Sequence, residues 1–133
     1  MAPDDSLLAA RALVLRDLAA YRADVARVVS IVEDVLTERR WWVEQWPEGA
    51  AYVPGLVAQD VQDAMLERVA RWPACPIHHG DPEAEEDGHV LHVLPDLGVD
   101  PHWVCERHGT VVAPLGGLVA QDSSDQFGAS DPS

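Results

Sequence analysis

The chain has 133 residues, an apolar fraction of 47% and a formal net charge of −14, enough for one core or two small ones. Residues 1–71 carry twelve acids against eight arginines, a balance of −4, whereas residues 72–133 carry eleven acids against one arginine, a balance of −10. Such a surface repels polyanions and disfavours nucleic-acid binding by the back half, since phosphate neutralisation supplies most non-specific affinity. The chain contains no lysine and no asparagine, which points to a high-GC genome, with a halophilic origin as the rival explanation. No basic-then-apolar leader precedes Asp4, so secretion is not expected. No stretch approaches eighteen uncharged apolar residues, so no membrane span is expected. A reducing cytoplasmic location follows, and there two cysteines read as metal ligands before they read as a disulfide.

From Asp5 to Trp46 there is no glycine or proline, and apolar residues recur at three and four. One stripe runs Val14, Leu18, Tyr21, Val25, Val28, Val32, Val35, with Leu7 and Trp42 extending it; a second row, Leu8, Leu15, Val29, Leu36 and Val43, widens the face. Asp4, Asp5 or Ser6 can cap the amino terminus. A continuous helix of this length would span about 60 Å and could not bury its stripe alone. It must meet a second helix, a copy of itself or another protein, unless it bends near Ser30 and closes a three-helix core. Trp46-Pro47-Glu48-Gly49 ends it, residues 47–55 read as a loop, and Leu56 to Trp72 as a second helix with Val57, Val61, Ala64, Met65 and Val69 near one face. An antiparallel hairpin of the two leaves surplus apolar surface on the longer one, which argues for self-association.

Arg39-Arg40-Trp41-Trp42, with Trp46, mixes cation and aromatic in a way that can bind single-stranded nucleic acid or a partner helix. The plainer reading has Trp42 and Trp46 packing over the junction with the back half while Arg39 and Arg40 pair with Glu38 and Glu44, cancelling the local field.

The back half holds both cysteines, in two motifs of one form: Cys75-Pro76-Ile77-His78 and Cys105-Glu106-Arg107-His108, each followed closely by a glycine, Gly80 or Gly109. Paired ligands two residues apart on a tight turn are what a tetrahedral Zn²⁺ takes from each half of a closed site. Cys75, His78, Cys105 and His108 are therefore the candidate ligands, with His79 able to replace His78. Between the motifs lie an acidic insert, Asp81 to Asp87, a strand from His89 to Leu94, and a loop at 95–101; Trp103-Val104 and Thr110 to Ala113 flank the second motif as a β-hairpin. His89 and His92, three apart on a strand, face opposite ways and are poor co-ligands; each reads as a surface or core-edge histidine, as does His102, unless it is a second partner behind the metal. From Gln121 the composition predicts a disordered tail. The hexapeptide Gly-Leu-Val-Ala-Gln-Asp occurs at 55–60 and again at 117–122, too short to establish a repeat.

The organisation from Cys75 to Leu115 resembles the zinc-ribbon family, whose knuckles normally read Cys-x-x-Cys; here His78 and His108 stand where the second cysteines would be. The resemblance implies a structural zinc and a recognition or scaffolding role, and no particular reaction. The predicted architecture is α+β: a helical hairpin or small bundle at 1–73, a small β zinc ribbon at 74–118 and a tail at 119–133. The predicted function is that of a non-enzymatic adaptor with a structural Cys₂His₂ zinc, in which Val90, Val93, Leu94, Trp103, Val111 and Val112 pack beside the metal. Its partner would be a second copy or a protein with a basic surface, met through the amino-terminal helix. The alternatives are a small zinc-dependent hydrolase with an open coordination position and a nucleic-acid-associated regulator acting through the helical half.

Overall fold

The computed structural model describes residues 3–76, 89–95 and 98–120. Its elements are α1 (Pro3–Ala20), α2 (Ala26–Gln45), a 3₁₀ helix (Pro47–Tyr52), α3 (Val53–Arg68), and strands β1 (His92–Leu94), β2 (His102–Cys105) and β3 (Thr110–Pro114). The class is α+β, three helices packed on one another followed by a three-stranded antiparallel sheet.

The long apolar stripe is buried within the chain rather than left for a partner. Leu7, Ala10, Val14 and Leu18 of α1, spaced by three and four, are buried in one cluster with Val28, Ile31, Val32, Val35 and Leu36 of α2, and both helices also pack on α3. This requires a break that the uninterrupted periodicity does not reveal. It falls at Tyr21–Val25, not near Ser30. There the Ala23 amide donates to the Leu18 carbonyl at 2.8 Å and the Arg22 amide to the Ala19 carbonyl at 3.0 Å, a Schellman ending. Arg22 occupies the left-handed position with φ 57°, where an L side chain costs about 1–2 kcal/mol. Burying several aliphatic side chains at about 1.5–3 kcal/mol each outweighs that cost. The surplus face on which self-association rested is thereby consumed internally; Val25 and Leu8 remain exposed.

The corner between α2 and α3 is closed by rings and one ion pair. Trp42 and Trp46 meet edge to face at 5.2 Å, and Tyr52 lies 5.9 Å beyond Trp46. A Cβ at Gly49 would come within 2.6 Å of both indoles, so only glycine fits beneath them. Arg39 lies 5.0 Å above the Trp42 ring and donates from Nε at 2.6 Å and Nη2 at 3.2 Å to the two oxygens of Asp60. The expected pairing of Arg39 with Glu38 or Glu44, and the placing of these tryptophans at the helix–sheet junction, are both corrected: the cluster sits among helices. Helix α3 starts three residues earlier than expected, because Pro54 is tolerated in a first turn, and it ends at Arg68 rather than Trp72.

The sheet order is β1-β2-β3, with Val93 opposite Trp103 and Trp103 opposite Ala113. Leu91, Val93, Trp103, Cys105 and Ala113 point inward and join the helical side chains in one core cluster. Trp103 is fully buried, meets Trp72 edge to face at 5.4 Å and donates from Nε1 to Asp17 Oδ2 at 2.7 Å. Asp17, on α1, also accepts from the Gly116 amide at 2.7 Å and the Leu118 amide at 3.0 Å. One buried carboxylate thus ties the first helix to the last strand's exit. The helical part and the sheet share an interior across residue 73, and Val111, expected beside the metal, is 61% exposed.

The two copies of the hexapeptide differ in conformation: the first lies in α3, while Gly117–Ala120 of the second is neither helix nor strand. The predicted tail from Gln121 and the acidic insert fall outside the described residues. Among the described residues no helix is long and apolar enough to cross a membrane.

Candidate metal centre

Backbone pairing sets the site. The Cys75 amide donates to the His89 carbonyl at 3.1 Å and the Leu91 amide to the Pro73 carbonyl at 2.9 Å, on either side of an antiparallel bridge between Ala74 and Val90. Cys75 and His89 therefore stand opposite one another. Two helices hold this short ladder. The Tyr21 hydroxyl, at the end of α1, donates to the Ala74 carbonyl at 2.6 Å. The Gln62 amide nitrogen of α3 donates to the carbonyls of Trp72 at 3.1 Å and Leu91 at 2.6 Å.

Cys105 ends β2, two residues after Trp103 and on the same inward face. The turn that follows brings the His108 amide to the Cys105 carbonyl at 3.3 Å and uses Gly109 in the left-handed region at φ 64°, which glycine enters without penalty.

Inward-facing parity then assembles the cluster. His89, Leu91 and Val93 alternate with Val90 and His92, so His89 shares the face of Cys105. One ligand atom from each of Cys75, His89 and Cys105 lies within 4.8 Å of the others. Cys105 Sγ and His89 Nε2 are 3.5 Å apart. A tetrahedral ion bonded at about 2.3 Å to sulfur and about 2.0–2.1 Å to nitrogen separates those atoms by about 3.6 Å. The same spacing suits a sulfur–imidazole hydrogen bond when no metal is bound. Two thiolates and an imidazole are a donor set suited to Zn²⁺.

Of the four ligands expected from sequence, Cys75 and Cys105 are brought together. His108 is exposed on its turn and outside the three-residue group. His78 and its substitute His79 lie outside the described residues. The expectation that sets His89 aside rests on its pairing with His92. Their opposite orientation is correct: His92 Nε2 approaches Glu106 at 3.6 Å on the outer face. That argument removes the pair as co-ligands but leaves His89 available to the cysteines, and strand parity relative to Leu91 was the signal for it. His102 turns Nδ1 to the Asp100 carbonyl at 2.9 Å.

Electrostatics around the site are shaped by burial. Burial raises the Tyr21 hydroxyl pKa, with negative charge at Cys75 and Asp17 adding to the effect, so Tyr21 stays a donor to Ala74. Burial also raises the Asp17 carboxyl, against the opposing pull of its Trp103, Gly116 and Leu118 donors and Arg16. A cleft of about 340 Å³ adjoins His89, lined also by Leu66, Arg71, His92, Glu106 and Arg107.

No curated protein and no solved structure matches the chain. One family model does, that of the Domain of unknown function (DUF8819), over residues 3–115. The matched span runs from the start of α1 through β3, so it takes in the helices, the sheet and all three clustered residues. The chain thus belongs to the DUF8819 family, helices and sheet together.

Proposed function

We propose that this protein is a non-enzymatic zinc-binding protein in which Cys75, His89 and Cys105 hold a structural Zn²⁺, with His108 or His78 completing the shell. The carrying observation is the convergence of three soft and borderline donors from three separate segments within 4.8 Å. The ion would join the 73–75 segment, the strand entering β1 and the end of β2, three short segments with few hydrogen bonds of their own. In this reading the zinc-ribbon likeness is one of role and hairpin, with His89 taking a position that the knuckle spacing assigns to another histidine. Cysteines kept as thiolate ligands rather than as a disulfide suit a reducing compartment such as the cytoplasm. The biological role is that of an adaptor. A protein partner with a basic surface suits the charge of −14, and the exposed Trp41 and Leu66 offer apolar anchors for it.

Metal analysis of the purified protein tests the centre. About one zinc per chain is expected for the wild type and for His92→Ala, and a loss of most of it for His89→Ala. Equal zinc in His89→Ala and His92→Ala would remove His89 from the shell, and metal-free protein with an unchanged sheet would remove the site.

A second reading, a zinc-dependent hydrolase, is favoured by the cleft beside His89, which Glu106 also lines. Cobalt substitution separates the two. A closed four-ligand site keeps its visible spectrum when azide is added, whereas an open position changes it.

A further inference from the structure

We infer that the cavity between the α1–α2 bend and the carboxyl end of α3 binds a small amphipathic carboxylate of the medium-chain fatty-acid type, gripped by Arg22. The cavity measures about 310 Å³, at the lower end of the range of small-ligand pockets, about 300–1,000 Å³. Val25, Val28, Met65 and Val69 are among its walls, with Arg22 and Arg71 also reaching it. No aspartate or glutamate is among its lining residues, in a chain with 23 acids. A ligand with an apolar body and one negative end is complementary to that lining.

The bend itself supplies an independent observation. Two of its positions hold residues that local structure disfavours, and both line this cavity. Arg22 takes the left-handed position that closes α1, where glycine or asparagine is the ordinary choice. Val25 is the N-cap residue of α2, with no side-chain cap hydrogen bond, and is 50% exposed; serine, threonine, aspartate or asparagine would cap. Asp24, one residue earlier, shows that a capping side chain was close at hand. Locally unfavourable residues gather where a site uses their side chains. Here they provide a planar guanidinium, suited to bidentate binding of a carboxylate, beside an exposed aliphatic wall. The cavity contains none of the three clustered metal-site residues, although Tyr21 and Ala74, which brace the Cys75 ladder, are among its walls.

Calorimetric titration of the full-length protein with decanoate, and with decanol as the uncharged control, tests the inference. Saturable decanoate binding is expected, together with a change in tryptophan fluorescence from Trp72, which also lines the cavity. Arg22→Gly keeps the left-handed turn and removes the charge, so the fold should lose no thermal stability while decanoate affinity falls about tenfold or more and decanol binding is unchanged. Val25→Trp, filling the cavity from an exposed position, should weaken both ligands. Absence of saturable decanoate binding, or equal decanoate affinity in wild type and Arg22→Gly, overturns the proposal.

Discussion

The helical and sheet regions are held together by different physics. In the helices, stability comes from aliphatic side chains at three- and four-residue spacing, with Val14, Leu18, Val32, Val57 and Val61 fully excluded from water. The sheet has strands of three, four and five residues, too short to stand alone. Its few inward side chains lean on the helices, and its backbone is tied down by polar side chains sent from them: Asp17 and Tyr21 from α1 and its end, Gln62 from α3. A small sheet in this chain is specified as much by hydrogen bonds received from elsewhere as by its own pattern.

Removing the proposed metal should separate the regions most sharply. Structural zinc contributes on the order of 10 kcal/mol in small metal domains. Chelation is therefore expected to lower hydrogen-exchange protection at Leu91, Val93 and Cys105 further than at the α1–α3 amides, which share the sheet's interior but keep their own ladders. Uniform protection after complete chelation would mean the apolar core alone holds the sheet.

Asp17→Ala comes next. It strips an acceptor from the Trp103 indole and from the Gly116 and Leu118 amides, and should cost about 3–5 kcal/mol in denaturant unfolding. A single transition is expected, because the regions share one core. Two resolved transitions would show that the helices fold independently of the sheet. Gln62→Ala should cost less, about 1–2 kcal/mol, since it leaves the Trp72 and Leu91 carbonyls short of one donor. Tyr21→Phe, which withdraws one hydroxyl from the Ala74 carbonyl, should cost about 1 kcal/mol. Both variants should loosen the Cys75–His89 ladder, and so lower metal retention, more than they disturb the helices.

What could be seen in the sequence follows the same divide. Helical content, the buried stripe and the hairpin around Cys105 are periodic or turn-marked, so they were legible. The break at Arg22 was not, because no glycine marks the helix end and the N-cap position of α2 is held by Val25 rather than by the adjacent Asp24; burial of the apolar stripes in one core forces it. Pro54 and Gly55 read as a loop yet fall in the first turn of α3, where proline is permitted and Gly55 is buried, with Pro101 beside it. The repeated hexapeptide makes the point directly, being helical in one copy while Gly117–Ala120 of the other is neither helix nor strand. At the site, both cysteines were legible from composition, but His89 required the parity of its strand against Leu91. Asp17 sits three residues after Val14, one acid inside an apolar stripe. That was a visible anomaly whose partners lie far along the chain.

The smallest expected effect concerns which way that acid tips with pH. Burial raises the Asp17 carboxyl above the ordinary aspartate value of about 3.9. Between that value and the folded one, the native state binds more protons than the unfolded chain, so this group's contribution to stability falls as pH rises through the window. It is fully present below the unfolded value. Asp17→Asn removes the titration and leaves one oxygen to accept. The stability advantage of wild type over Asp17→Asn should therefore widen as pH is lowered from neutrality toward 4, measured as the difference in Tm. An advantage that narrows instead would mean that three N–H donors outweigh desolvation and hold the carboxylate ionised. The tie between helix and sheet would then be an anion in an amide nest rather than a buried acid, and acidification would loosen the sheet before the helices.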